Sequence, residues 1–206
     1  MKIEFRRKIK NDNYIYISAS INIMQLGRPE LAADDWILIF LFANQKSRIH
    51  GKLMLIKELF IASNEIEQVS RNLKLVFKFY PSHYGPYSDA FENSLKKLEM
   101  SGDINAREET IDNKTRIIYE ITDKGAEYIE NIYEGLPEIV KKRISKLKKG
   151  ADQLGYIGIL KHVYTHYPEY AVKSRIKDRR VTEIRKREKE LFSSGFISYH
   201  LQGYIG

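Results

Sequence analysis

The stretch from Tyr84 to Tyr128 constrains the fold of this chain more than any other. It opens Tyr84-Gly85-Pro86-Tyr87-Ser88, and the Gly-Pro pair stops whatever element precedes it. Ser88 is placed to cap a helix over 89–100, with Phe91, Leu95 and Leu98 turned inward. Ser101-Gly102 ends that helix, because glycine is favoured just past a helix C-terminus. Two strands, 103–108 and 115–121, flank the turn-forming tip Ile111-Asp112-Asn113-Lys114. Thr122 then caps a helix over 123–134, its hydroxyl satisfying a free backbone N–H of the first turn. Gly135 and Pro137 punctuate the end.

The flanking sequence reads as follows. Residues 2–8 and 13–19 are strand candidates around Asn11-Asp12-Asn13, and Ile15, Ile17 and Ala19 alternate with Tyr14, Tyr16 and Ser18, so a β-hairpin is expected. Gly27-Arg28-Pro29 breaks the chain, and Pro29 suits the first turn of a helix over 30–44 with Trp36, Ile37, Phe40 and Leu41 facing a core. A helix over 51–62 places Leu53, Ile56, Leu59 and Phe60 inward and Lys52, Lys57 and Glu58 off that face. Residues 64–72 are polar and read as a loop, and the alternation of Leu73, Leu75, Phe77 and Phe79 predicts a strand over 73–80. Beyond Pro137, three helices are expected over 138–149, 152–167 and 178–193. The fold class is α+β, mostly α. Its parts are an N-terminal hairpin extension (1–28), a central domain (29–135) and a basic helical C-terminal region (136–206).

Composition narrows the function. The longest apolar run, Trp36 to Ala43, is far too short to cross a bilayer, and the N-terminus lacks a signal-peptide pattern. The chain contains no cysteine, which excludes disulfides, thiolate zinc sites and cysteine nucleophiles and fits a cytoplasmic protein. Abundant isoleucine, lysine and glutamate lean toward a thermophilic source. The net charge of +8 is unevenly placed: residues 136–206 carry 16 Lys and Arg against 7 Asp and Glu, while the first 135 residues nearly balance. Such asymmetry points to a polyanionic partner, nucleic acid first, and otherwise to solvated helix faces.

Two resemblances attach to these residues. The helix–strand–turn–strand run closing on Ile121-Thr122-Asp123-Lys124-Gly125 resembles the wing and closing helix of winged helix-turn-helix regulators of the MarR and PadR type, over residues 34–134. More narrowly, three segments resemble the YwgA-like group of predicted regulators and, more distantly, the Panacea antitoxin domain, over residues 34–178. They are Lys52-Leu53, Tyr84-Gly85-Pro86-Tyr87-Ser88 and Val163-Tyr164-Thr165-His166-Tyr167-Pro168-Glu169-Tyr170. These resemblances imply a winged-helix core with appended helices and a regulatory or adaptor role. They carry no catalytic residues, and the N-terminal hairpin lies outside them.

The expected function is therefore a non-enzymatic, DNA-binding transcriptional regulator, working as a homodimer on duplex DNA. The alternative is an antitoxin-like or adaptor module whose winged helix binds a protein partner. By position, helix 89–100 would be the recognition helix, with Asn93, Lys96 and Lys97 as its DNA-contact candidates. Asp89, Glu92 and Glu99 make it a poor groove reader. Lys114 and Arg116 at the strand–turn–strand tip are offset by Asp112 and Glu109. The stronger candidates are basic: Lys142 and Arg143 on helix 138–149, and Arg179, Arg180, Arg185, Lys186 and Arg187 on helix 178–193, all suited to phosphates. The same faces also suit a helical dimerisation element. His162 and His166 share a helix face at i, i+4 spacing, but without a third ligand they do not make a metal site, and no cofactor is expected. Tyr80, Tyr84 and Tyr87 are expected to staple the Gly-Pro turn to the core.

Overall fold

A computed structural model describes residues 3–8, 14–19, 31–46, 48–111, 114–171 and 173–175. The protein is α+β and mostly helical, and falls into two compact units, Met1–Glu30 and Leu31–Gly206. In the first, β1 (Ile3–Lys8) and β2 (Tyr14–Ala19) pair antiparallel, with Ile3 opposite Ala19 and Lys8 opposite Tyr14. The expected break at Gly27-Arg28-Pro29 lies outside the described residues, as does the expected helix over 178–193.

The second unit is built around two helices buried on nearly all sides. In α1 (Ala33–Lys46) every residue from Asp35 to Leu41 is buried. Helical backbone stops at Ala43, and Asn44 and Gln45 turn left-handed. In α2 (Lys52–Glu65) the buried run is Met54 to Ser63 without a gap. Helices wrapped all round by protein carry apolar residues on every face, which is why neither shows a clean amphipathic stripe. Between them, β3 (Ile49–His50) pairs antiparallel with a later strand, Ile49 lying opposite Tyr119 and His50 opposite Ile118.

Residues 67–77 form a helix, α3 (Glu67–Phe77), and not the expected loop and strand. Val69, Leu73 and Phe77 are its buried residues, at helical spacing, and Leu75, which the alternation had placed beside them, is half exposed. Four consecutive alternating positions cannot outweigh an eleven-residue stripe with period 3.6. Lys78 ends the helix in left-handed geometry. The tyrosine-rich segment is then a small hairpin of β4 (Tyr80–Ser82) and β5 (Gly85–Tyr87).

Helix α4 (Asp89–Ser101) begins as expected: Ser88 Oγ accepts from Phe91 N at 3.2 Å and donates to the Phe77 carbonyl. Gly102, at φ +73°, closes it. Strands β6 (Ile104–Ile111) and β7 (Lys114–Ile121) extend further than expected toward their tip, and the sheet order is β3-β7-β6. Thr122 caps α5 (Asp123–Glu134), accepting from Gly125 N at 3.1 Å and donating to the Gly102 carbonyl at 2.8 Å. One side chain thus ties the end of α4 to the start of α5. Gly125 is required there because a Cβ would lie 2.2 Å from the Asp103 carbonyl oxygen.

The expected helices 138–149 and 152–167 are one element, α6 (Glu138–His166), bent at Gly155 (φ 62°, ψ −178°). The helix runs straight through Gly150. The break falls where the backbone adopts an angle that side chains disfavour. Both halves contribute to the core, through Val140 and Ile144 before the bend and Ile159, Leu160, Val163 and Tyr164 after it. A 3-10 turn, Pro168–Ala171, follows.

Candidate nucleic-acid interface

The outward face of α4 carries Asp89, Asn93, Lys96, Lys97 and Glu99, as its periodicity predicts. Its charges are largely committed within the protein. Lys97 pairs with Asp34 of α1 at 2.5 Å. Glu92 accepts from Lys52 at 2.9 Å and from the Tyr87 hydroxyl at 2.9 Å. Burial alone would raise the Glu92 carboxyl, but these two partners outweigh it and hold it below the usual carboxylate range. Tyr80 donates to Asp89 at 2.8 Å and stacks edge-on against Tyr87, so the β4–β5 hairpin braces the start of α4. Lys96 and Asn93 remain exposed beside one another's turn, and Met100 is 89% exposed at the helix end.

The β6–β7 surface is balanced in charge. Arg107 reaches Glu120 at 3.2 Å and Glu109 at 3.6 Å, and Arg48 reaches Glu120 at 2.5 Å. Arg116 is exposed and lies opposite Glu109 in the ladder, and Lys114 opens β7 opposite Ile111. Every arginine of this sheet therefore sits beside a carboxylate.

Helix α6 differs. Lys142, Lys146 and Lys149 recur at i, i+4 and i+7, so they share one face, all three are exposed, and none forms an ion pair with a described residue. With Lys141 they line an open depression of about 690 Å³. Lys141 is held by Glu134 at 2.8 Å and Glu138 at 2.6 Å. Arg143 is half-buried and donates to Gln68 of α3 at 3.1 Å, so it faces away from this strip. Arg179, Arg180, Arg185, Lys186 and Arg187 lie outside the described residues.

A second group of charges is buried. Lys57 and Glu58, expected off the core face of α2, are 0% and 1% exposed, and Lys148, within the basic stretch of α6, is 1% exposed. Lys148 Nζ lies 3.5 Å from Glu58 Oε2 and joins α2 to α6. Burial pushes the Glu58 carboxyl up to about 7 against the opposing charge of Lys148. Burial also lowers Lys57 to about 7, and its Nζ donates to the Pro86 carbonyl at 3.3 Å. Nothing local in the sequence marks these three. They are charged residues on helices that distant segments happen to cover.

The segments that carried the narrower resemblance converge in space. Gly85 (φ +87°) leaves room for Tyr164, whose ring would stand 3.0 Å from a Cβ at that position. Phe60 of α2 packs edge-on against Phe79, Tyr167 and Tyr170. His162 Nε2 bonds Glu65 at 2.7 Å and its ring lies 4.2 Å from that of His166. No group of three or more His, Asp or Glu side chains among the described residues is arranged to hold a metal ion. Among the same residues, no helix is long and apolar enough to cross a membrane. A comparison with protein-family models matches none of them, and a comparison with curated proteins likewise matches none.

Proposed function

We propose that this protein is a winged-helix, DNA-binding regulator that holds duplex DNA chiefly by phosphate contacts from the α6 strip. The observation that carries the reading is the contrast in charge commitment. Lys142, Lys146 and Lys149 are exposed together and form no ion pair with a described residue, Lys142 lying only near enough to Glu138 to assist Lys141 in lowering the pKa of its carboxyl, whereas the cations of α4 and of the β6–β7 sheet mostly sit beside carboxylates. Clustered lysines release counterions from a duplex and bind without regard to sequence. The order α1–β3–α2, then α4–β6–β7 with β3 paired to β7, supports a winged helix. In that reading α3 and the β4–β5 hairpin are inserted before the recognition helix α4. Asn93 and Lys96 are then its base-contact candidates, and a homodimer would present two strips to one duplex.

The test is an electrophoretic shift on a random-sequence duplex across a salt series. Affinity is expected to fall steeply with salt, and the Lys142→Ala/Lys146→Ala/Lys149→Ala variant to lower the logarithmic salt slope by about two to three. Absence of binding to any duplex at low salt sinks the reading.

The acids of α4 and the exposed Met100 favour a second reading, a protein-binding adaptor. Capture of partners that survives nuclease treatment would support it.

A further inference from the structure

A groove of about 360 Å³ runs between the C-terminal end of α2 and the bend of α6. Its walls are apolar: Ile61 and Ile66 on one side, and Leu147, Ala151, Leu154 and Ile159 on the other. Two cations, Arg143 and Lys146, reach its rim, with His162 beside them. The one carboxylate at the rim, Glu65, is already engaged. It accepts from His162 at 2.7 Å and from the Tyr167 hydroxyl at 3.3 Å. Burial alone would raise its pKa, but these bonds and the nearby His166 outweigh that and hold it below the usual range. The groove therefore combines an apolar floor with two basic side chains, Arg143 and Lys146, at one edge, within the volume typical of small-molecule sites.

Two glycines keep this space open. Gly155 supplies the bend that turns the second half of α6, with Ile159 and His162, onto α2. Gly150 lies inside a regular helical stretch, with no positive φ and nothing within 4 Å of where a Cβ would stand. Neither packing nor backbone geometry explains a glycine there, although in a helix interior it costs about 1 kcal/mol relative to alanine. What Gly150 does is leave the groove wall open.

We infer that this groove binds a small amphipathic carboxylate, an apolar body of medium-chain length whose acid group meets Lys146 and Arg143. Charge complementarity selects this class: an apolar amine would meet like charge, and a purely polar anion would leave the Ile and Leu walls wet. Lys146 and Gly150 also line the depression on the opposite flank of α6, so a bound anion would neutralise one lysine of the basic strip. The groove's own binding does not depend on what that strip contacts.

Decanoate is a suitable probe, with decanol and decyltrimethylammonium of equal chain length as controls. Binding is read by calorimetry and by backbone amide shifts at Gly150, Ala151 and His162. Decanoate is expected to bind about tenfold more tightly than decanol, the margin of one charge-assisted contact. Arg143→Gln with Lys146→Gln should erase that margin and leave decanol binding in place. Gly150→Leu should fill the groove and abolish binding of both while the melting temperature holds or rises, since leucine is the better helix former. Equal or tighter binding of decyltrimethylammonium overturns the inference. So does decanoate binding with no shift at the groove amides, unchanged affinity in a folded Gly150→Leu protein, or no binding of decanoate at millimolar concentration.

Discussion

Replacing Lys57 by methionine should stabilise this protein at neutral pH and lose that advantage in alkali. Lys57 is fully buried, and burial lowers its pKa from 10.5 to about 7. The unfolded chain thus binds more protons than the folded one between these two values, so stability rises with pH across that window. Each pH unit inside it corresponds to about 1.4 kcal/mol. At about pH 7 the folded protein carries a penalty on the order of 4 kcal/mol relative to a lysine neutral in both states, and by about pH 9 roughly 2 kcal/mol of it is gone. Methionine matches the length of the stem and removes the charge. It also removes the donor to the Pro86 carbonyl, at a cost of about 1–3 kcal/mol. The net expectation is a gain of about 1–3 kcal/mol near neutrality that shrinks to nothing, or reverses, by about pH 9. Above that range Tyr87, Tyr119 and Tyr156, pushed up to about 12, begin to act in the opposite sense. Urea unfolding followed by fluorescence of Trp36, the sole tryptophan and 1% exposed, measures the difference directly. If the two proteins differ by the same amount at both pH values, Lys57 does not titrate in this window and the burial argument fails.

The remaining expectations use other parts of the fold. Glu58 is the mirror case: with its pKa raised to about 7, its stabilising contribution is present below about 4.5 and is lost as pH rises through about 7. Glu58→Gln should flatten that limb in pH-dependent melting. Gly125→Ala should destabilise by more than about 2 kcal/mol in urea unfolding, since its Cβ would collide with the Asp103 carbonyl. Ser88→Ala removes both a helix cap and the donor to the Phe77 carbonyl, and should cost about 1–3 kcal/mol by the same measurement. Should duplex binding hold, Lys96→Ala with Asn93→Ala is expected to alter sequence preference in a binding-site selection. Arg179→Ala with Arg180→Ala should weaken all sequences alike and lower the salt slope by up to about two.

What could be read along the chain was whatever a few neighbouring residues decide. The caps at Ser88 and Thr122 and the left-handed stop at Gly102 depend on groups three or four positions apart, the strands before Thr122 pair across a short turn, and all stand where the sequence pointed. Even there, the reason for Gly125 lay 22 residues back at Asp103, where the end of α4 meets the start of α5. Helix α3 was masked because Leu73, Leu75, Phe77 and Phe79 alternate over a short span, and only burial of Val69, Leu73 and Phe77 shows which period won. The exposed lysines of α6 were legible as a basic helix face, but Lys148, one residue from Lys149, lies in the core beside Glu58. The groove beside Gly150 has no sequence signature at all. Charge and helical spacing are local properties, whereas desolvation is set by segments about a hundred residues apart, such as α2 and α6, that meet only when the chain has folded.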